Sequence, residues 1–303
     1  MDLKYESSPP ESLSGGGEKE DGMDRFSDPE TLLDCVRARR SVRSFDGSPL
    51  TPEQERALAG CMERTDNPWG VPLRIRLLPA KEYGLRSMVI VGAAQYLAAK
   101  GPKGPALELA VGFTLERVIL CAQSLGLGTV WLGGTFDRPA FSAAMELGPD
   151  ERMPCVVPVG RAAARMSLRE SAMRKGTKAS SRKPFEELFF DGGFDRPLTR
   201  AAAGRLALPL EAVRLAPSAV NRQPWRVVLR ENELCFYLCP SKGVRGAAVG
   251  ELQKVDLGIA LCHAFLSAEA LGLALVFCAE DPGLPHPPEL VYIGAWRINN
   301  QIR

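Results

Sequence analysis

The chain has 303 residues, of which 45% are hydrophobic and 24% charged, and its formal net charge is +2. This composition predicts a globular protein of one large or two small domains, and it excludes nucleic-acid binding driven by bulk charge. No apolar run reaches the roughly 18 to 20 residues of a membrane span, and none forms a secretory signal. The eight cysteines include no C-x-x-C pair. A reducing cytoplasm is therefore the expected compartment.

The first part of the chain predicts a disordered arm followed by helices and strands. Residues 1–27 are rich in Pro, Ser, Gly, Glu and Asp, a composition that cannot bury a core. Asp28-Pro29-Glu30 and Thr51-Pro52-Glu53 each place proline after an N-cap residue, which predicts helices running to about Arg39 and Arg64. Further predicted elements are strands at 73–77 and 88–92, a helix at 107–125, a short helix after Pro139 and a strand at 154–160.

A basic segment separates these elements from a second, similar series. Residues 161–183 hold eight lysines and arginines, and a solvated linker is the expected role of most of them. The second series contains a helix before residue 216, a helix at 255–271 and strands at 226–229, 235–239, 275–277 and 290–294. Gly112 aligns with Gly258 and Gly126 with Gly272 at equal spacing. We interpret the recurrence as an internal duplication.

A polar turn at residues 216–225 reads Ala-Pro-Ser-Ala-Val-Asn-Arg-Gln-Pro-Trp. Pro217 ends the preceding helix because it has no N–H to donate. Ser218, Asn221 and Gln223 supply neutral donors and acceptors. Such a turn suits a planar ligand with several hydrogen-bonding groups along its edge. A rigid turn whose polar groups bond to one another is the other interpretation, and the turn alone does not decide between them.

A second motif, at residues 39–45, reads Arg-Arg-Ser-Val-Arg-Ser-Phe. Together the two motifs resemble the flavin-binding nitroreductase family, which carries R-R-S-x-R/K-x-F and A-P-S-x-x-N-x-Q-P-W segments. In ordinary members the segments lie a few dozen residues apart, whereas here they fall in different halves of the chain. The resemblance covers about residues 29–297 and is strongest to family members with two fused halves.

The resemblance implies an α+β, nitroreductase-like fold, internally duplicated as a single-chain pseudo-dimer. Its parts are the arm 1–27, a first nitroreductase-like half 28–185 and a second half 186–303. Ordinary members are homodimers with the flavin at the subunit interface, so fusion explains the separated motifs and is compatible with a monomer. The arginine motif occurs in the first half alone. The segment of the first half that aligns with the polar turn keeps only Asn67-Pro68-Trp69. One FMN per chain is therefore expected.

The resemblance also implies twelve cofactor-binding positions, which are Arg39, Arg40, Ser41, Arg43, Trp131, Gly133, Gly134, Arg182, Pro217, Ser218, Asn221 and Gln223. Arg39 and Ser41 match contacts to the phosphate and ribityl chain, and Arg182 matches a basic motif that closes on the phosphate. Arg43 matches the cation beside the pyrimidine edge of the ring, where it stabilises the reduced form. The Trp131–Gly134 stretch matches the backbone N–H offered to the ring, and the turn residues are expected to reach the cofactor from the second half.

The implied function is an FMN-dependent oxidoreductase that takes hydride from NADH or NADPH. It would reduce a nitroaromatic, quinone or similar small-molecule acceptor by a ping-pong cycle. No catalytic side chain and no metal are expected, and neither nucleic acid nor a membrane is an expected partner. The alternative, motivated by the incomplete second half, is a flavin-binding or scaffold protein with little turnover.

Three further features are given structural interpretations. His263 lies in an apolar helix pattern, which favours helix packing over ligand binding. Cys235 and Cys239 share one side of a predicted strand, and a buried pair is favoured over a metal clip. The glycine run at 15–17 follows no strand and Gly126-x-Gly128 ends a helix, so neither predicts a dinucleotide loop.

Overall fold

The computed structural model describes residues 26–167, 170–171, 175–176, 181–240, 245–246 and 250–299. The predicted arm up to residue 25 lies outside the described residues, as do residues 168–169, 172–174 and 177–180 of the basic segment. Phe26 is only 4% exposed and packs in the main core with Leu32 and Val36. The folded part therefore starts before the predicted boundary at residue 27.

The helices of the described part are α1 (Pro29–Ala38), α2 (Pro52–Glu63), α3 (Leu107–Ser124), α4 (Arg138–Ala144), α5 (Phe185–Leu188), α6 (Arg200–Ala203), α7 (Ala207–Leu215) and α8 (Leu252–Ala270). Both proline-led helix starts are confirmed. Asp28 accepts from the Thr31 N–H at 2.8 Å, and Thr51 and Gln54 form a capping box. Within the described ranges no helix combines the length and apolar character needed to cross a membrane.

The strands form two five-stranded sheets, one from each part of the chain. The first sheet contains β1 (Arg74–Pro79), β2 (Gln95–Pro102), β3 (Gly128–Thr129), β4 (Glu151–Arg152) and β5 (Val156–Gly160), in the order β1-β2-β5-β3 with β4 paired to β2. The second contains β6 (Phe189–Asp191), β7 (Trp225–Arg230), β8 (Glu233–Leu238), β11 (Ala274–Cys278) and β12 (Val291–Asn299), in the order β11-β12-β8-β7-β6. A small separate pair is formed by β9 (Arg245–Gly246) and β10 (Gly250–Glu251). Apart from the parallel β6–β7 pair, these ladders are antiparallel, as the mixed α+β class predicts.

The strand predicted at residues 88–92 is wrong. Met88 is 74% exposed and Val91 58% exposed, and the segment makes a single isolated bridge, between Val91 and Ser44, instead of a ladder. Gly92 has φ +73°, and a Cβ there would lie 2.3 Å from the carbonyl oxygen of Phe45. The chain therefore bends tightly against the arginine motif at this point, and the strand begins only at Gln95.

The two long helices α3 and α8 cross at the centre of the molecule, with α3 packing on the first sheet and α8 on the second. A Cβ on Gly112 would lie 2.2 Å from the Val255 carbonyl oxygen, and one on Gly258 would lie 2.1 Å from that of Leu109. Real side chains cannot approach backbone so closely, and glycine at both positions is what permits the short crossing distance. These are two positions that the sequence aligns with each other.

Helices α3 and α8 also end in the same way. Gly126 and Gly272 have φ of +74° and +73°, the left-handed conformation that closes a helix. In each case the N–H of the following leucine, Leu127 or Leu273, donates over 2.9 Å to a carbonyl of the last turn. The predicted helix ends are thus confirmed, whereas the origin of the two halves from one duplicated unit stays a prediction.

Candidate functional site

A cavity lies beside the first turns of α8, where residues from both predicted halves meet. Apolar and aromatic side chains form much of its wall, together with hydroxyl, guanidinium and carboxyl groups. We call it the central cavity, and it is lined by Ser41, Arg43, Val130, Trp131, Gly133, Cys155, Pro217, Ser218, Ala219, Val220, Leu252, Val255, Asp256 and Ile259. Six of the twelve predicted positions are in this lining. Segments far apart in the sequence are therefore neighbours here.

The arginine motif reaches the central cavity by running extended along β3. Arg39 is the C-cap of α1, with φ −60° and ψ 126°, so the helix stops there. Ser41 then bridges Thr129 in parallel, and the Val42 N–H donates to the Thr129 carbonyl over 3.0 Å. This pairing fixes the register of the segment and places Ser41 and Arg43 in the lining.

The polar turn enters the same cavity in a strained conformation. Val220 and Gln223 have φ of +47° and +50°, which is unfavourable for a β-branched residue in particular. Two hydrogen bonds hold the turn in place. The Gln223 N–H donates to Ser218 Oγ over 2.9 Å, and the Ala219 N–H donates to Asp256 Oδ1 over 3.0 Å. The second bond ties the turn directly to α8.

The two amides of the turn bind a different part of the chain. Gln223 Oε1 accepts from the Lys183 N–H over 2.8 Å, and Asn221 Nδ2 donates to the Ser181 carbonyl over 3.0 Å. Arg182 Nη1 donates to Asn221 Oδ1 over 3.4 Å. Neither amide lines the central cavity. These bonds fasten the turn to residues 181–183, and both residues line the second cavity described below.

A second cavity adjoins the first, because Val220 lines both. We call it the outer cavity, and it is lined by Gly176, Ser181, Arg182, Lys183, Val220, Asn221, Arg222 and Gln223. Burial lowers the pKa of Arg182 to about 10, and the positive charges of Arg39 and Arg214 add to this effect. Arg39 and Arg182, from opposite ends of the first half, thus come near each other. Clustered guanidinium groups favour an anion.

Trp131 is held at the wall of the central cavity by a buried polar network. Its indole Nε1 donates to Glu116 Oε2 over 3.1 Å, and Glu116 Oε1 lies 2.9 Å from His263 Nε2. His263 Nδ1 in turn lies 2.9 Å from the Ala212 carbonyl oxygen. The side chains of Glu116 and His263 are fully buried between α3 and α8. His263 is therefore a packing histidine, and its network extends to a residue of the cavity wall.

The remaining predicted positions differ in their placement. Gly133 lines the central cavity, and a Cβ there would lie 2.6 Å from the Leu252 side chain. Gly134 and Arg40 are exposed and outside the lining of both cavities. Arg40 was expected only as a neighbour of the cofactor. Gly134 directly follows Gly133, which is the last residue of this stretch to line the cavity.

Sequence reasoning missed Asp256, which is 4% exposed and lines the central cavity. Burial raises the pKa of this carboxyl to about 8, against the opposing effect of the Ala219 N–H. A visible signal was present, because Asp256 interrupts the apolar run of α8 between Val255 and Leu257. A charge at such a position is rarely buried without a specific role.

The two cysteines of the predicted pair lie in β8 and directly after it. Cys235 is buried in β8 and Cys239 is half-buried just beyond this strand, and both are free thiols. A search of the described part of the chain finds no cluster of three or more His, Cys, Asp or Glu side chains placed to hold a metal ion.

Comparison with protein families identifies the chain. Residues 31–268 match the model of the family described as "Putative TM nitroreductase". The match spans well over half of the sequence, so the chain belongs to this nitroreductase family. No match was found among curated proteins.

The chain is similar to several solved structures. A protein of Thermotoga maritima described as a "putative nitroreductase" is 21% identical, with a TM-score of 0.54 over 88% of this chain and 94% of its own. A nitroreductase family protein of Clostridium difficile is 16% identical, with a TM-score of 0.41 over 51% of this chain and 94% of its own. A second C. difficile protein, described as an FMN-dependent nitroreductase, is 13% identical, with a TM-score of 0.38 over 46% and 93%. The Thermotoga likeness shows the nitroreductase fold along almost the whole chain.

Proposed function

We propose that this protein is an FMN-dependent oxidoreductase. The observation that supports this most is the meeting of the arginine motif and the polar turn at one cavity. Ser41 and Arg43 come from the first half, Pro217 and Ser218 come from the second, and all four line the central cavity. Membership of a nitroreductase family adds support from the sequence as a whole.

The two adjoining cavities suit the two chemical parts of FMN. The central cavity combines the Trp131 ring and aliphatic side chains with a few polar groups, which is typical of a site for a flat heterocycle. The outer cavity carries Arg182, near Arg39, and paired guanidinium groups suit a phosphate dianion. The proposal is therefore that the ring lies in the central cavity and the phosphate in the outer one.

FMN held by these residues would supply the redox chemistry between NADH or NADPH and a nitroaromatic, quinone or similar acceptor. The protein's own groups orient and polarise the ring. Arg43 places a positive charge in the central cavity, where it would favour the more negative, reduced form. Ser41 and Ser218 both offer hydroxyl groups to this cavity, and Gly133 forms part of its wall.

The proposal includes the pseudo-dimer, with a first half at 28–185 and a second at 186–303. Each sheet is built within one of these ranges, and the central cavity takes residues from both. A single chain would then hold one complete site, where an ordinary dimer of the family is expected to hold two.

The experiment is to purify the protein, record its visible spectrum, release any flavin by heat and identify it by chromatography. NADH and NADPH oxidation is then followed with menadione or a nitroaromatic compound as acceptor. Bound FMN together with acceptor-dependent oxidation is the expected result. A colourless protein that also fails to take up added FMN would overturn the proposal.

The alternative is a flavin-binding protein with little turnover. It is favoured by the internal bonding of Asn221 and Gln223, which leaves fewer polar groups of the turn for a ligand. Stoichiometric FMN without acceptor-dependent NAD(P)H oxidation would support this alternative.

A further inference from the structure

Helix α8 presents one face to the central cavity, and this face carries one acidic residue. Leu252, Val255, Asp256 and Ile259 all line the cavity, at the three- and four-residue spacing of neighbours on a helix surface. The other three are aliphatic. Asp256 is 4% exposed, so an acid lies against the ring-sized apolar part of the cavity without access to bulk water.

The carboxyl of Asp256 is only half satisfied. Oδ1 accepts the Ala219 N–H over 3.0 Å. Oδ2 is buried, and within the described residues it has no hydrogen-bond partner. A buried polar atom of this kind is costly unless something completes its bonding. Since the cavity is the open space that Asp256 borders, a ligand there can supply the missing partner.

The surrounding charges do not provide a counter-ion for Asp256. From α3, Glu108 is bound to Arg152, and from α8 itself Lys254 is paired with Glu251. Cys155 lines the same cavity, and burial raises the pKa of its thiol. Arg43 lines the same cavity. Burial is the main influence on the pKa of Asp256 and raises it to about 8. Because Oδ1 already accepts a bond, Oδ2 is the oxygen available to carry the proton that burial favours.

We propose that Asp256 is a ligand-recognition residue of the central cavity, whose neutral carboxyl donates a hydrogen bond to an acceptor atom on the FMN ring system. The acceptor is a carbonyl oxygen or an unprotonated ring nitrogen, since these are the acceptors that such a heterocycle offers. This inference rests on the proposed function. It adds a donor from α8 that the arginine motif and the polar turn do not contain.

The test is a titration of the flavin-free protein with FMN between pH 6 and 9.5, followed by flavin fluorescence. If the neutral acid is the binding form, the dissociation constant is flat below about pH 8 and rises toward tenfold per pH unit above it.

Asp256→Asn keeps an acceptor for Ala219 and a donor for the ligand, and it cannot ionise. Its affinity at pH 6.5 should stay within about threefold of wild type, and its pH profile should be flat. Asp256→Leu should bind roughly 2- to 12-fold more weakly at pH 6.5, as for loss of one neutral hydrogen bond.

Cys155→Ala is the control for the shape of the profile, because it removes another proton-bearing side chain of the wall, and its FMN affinity should still be flat below about pH 8 and fall above it. Infrared difference spectra of wild type against Asp256→Asn should contain a protonated-carboxyl band at pH 7 that disappears above about pH 8 to 9. If FMN binds wild type and Asp256→Asn with the same pH profile, or if the band is missing, this inference is overturned while the proposed function stands. If FMN binds neither protein at any pH, the proposed function falls first. Should Asp256→Asn fail to fold, a pH-independent affinity of the wild-type chain alone would still overturn the inference.

Discussion

At the scale of single residues, the site combines buried charges of opposite kinds. Arg182 and Arg39 lie near each other, and burial with this like charge lowers the Arg182 pKa to about 10. Asp256, deeper in the fold, has its pKa raised to about 8 by burial. Both shifts mean that folding disfavours the charged form, and such groups are typical of sites that a ligand completes.

Asp256 should make stability depend on pH. The unfolded chain ionises this carboxyl near its ordinary value of 3.8, whereas the folded protein does so near 8. Between these values folding takes up a proton, so the free energy of unfolding falls as pH rises, by up to about 1.4 kcal/mol per pH unit, and levels off above 8. Asp256→Asn should lack this contribution to the pH dependence of the free energy of unfolding. Urea unfolding of both flavin-free proteins from pH 5 to 9 should give a difference in favour of the variant that grows up to about pH 8. Parallel pH curves would contradict the assignment.

Arg39 and Arg40 provide a matched pair of adjacent cations. Arg39 is 8% exposed and lies near Arg182, which lines the outer cavity, whereas Arg40 is exposed. Loss of a charged contact is worth about 1.5 to 3 kcal/mol, so Arg39→Ala should weaken FMN binding roughly 10- to 150-fold. Arg40→Ala should change it less than about twofold. Fluorescence titration measures both, and equal losses would mean that proximity to the phosphate is not what matters.

At the scale of elements, the crossing of α3 and α8 is the contact on which the site depends. Gly112 and Gly258 let the two backbones touch, and Glu116 and His263 pair across the same interface. Helix α8 carries four residues of the central cavity, and α3 holds Trp131 through Glu116. A change in helix spacing therefore moves the cavity wall.

Gly112→Ala should test this crossing. The added Cβ would lie 2.2 Å from the Val255 carbonyl oxygen, so the helices must separate, at a cost of about 1 to 3 kcal/mol or more. Gly60→Ala is the control, because Gly60 lies within α2 and a Cβ there meets nothing within 4 Å. That change should stabilise by roughly 0.5 to 1 kcal/mol, since alanine favours a helix. Thermal or urea unfolding should therefore move in opposite directions for the two variants.

The buried Glu116–His263 pair should be costly to break from one side. His263→Ala leaves the Glu116 carboxyl without one of its two bonds in a fully buried place, and a buried polar group left unsatisfied costs about 1 to 3 kcal/mol. His286→Ala, the other histidine of the chain, should cost under about 1 kcal/mol, because its ring is only partly covered. If urea unfolding gave comparable losses in the free energy of unfolding for His263→Ala and His286→Ala, the buried network would contribute little to stability.

At the scale of the whole molecule, the two halves contribute unequally to one site. In the second half, Pro217 and Ser218 line the central cavity. In the first half, Asn67 closes its own loop, donating to and accepting from Val71 over 2.8 and 3.1 Å. Trp69 packs edge-on against Phe277, with ring centroids 5.2 Å apart. Residues 67–71 thus form a packing element that contacts the second sheet through Phe277 of β11.

One FMN per chain is the expected stoichiometry, measured as heat-released flavin against protein concentration. Asn221→Ala should weaken FMN binding about 2- to 12-fold, because it loosens the tie between the turn and Arg182. Asn67→Ala should leave FMN affinity unchanged while lowering stability. Two flavins per chain would contradict the single-site expectation. Loss of FMN in Asn67→Ala with none in Asn221→Ala would reverse the assignment of the halves.

The sequence by itself determined the family resemblance, the α+β class, the long helices with their caps, and the two motifs of the site. These are local signals: a proline after an N-cap, a glycine after the last helical turn, or a run of residue types suffices to predict them. The strand at 88–92 was wrong because an apolar run has no local mark of the contact with Phe45 that bends it. Asp256 was missed, and Asn221 was expected at the ring, because burial and bonding partners depend on residues distant in sequence. Only the tertiary structure decided that α8 faces the cavity with an acid, and that the amides of the turn bind residues 181–183. Close approach of α3 to α8 brings these distant groups together, and its cause is a contact between two backbones at Gly112 and Gly258.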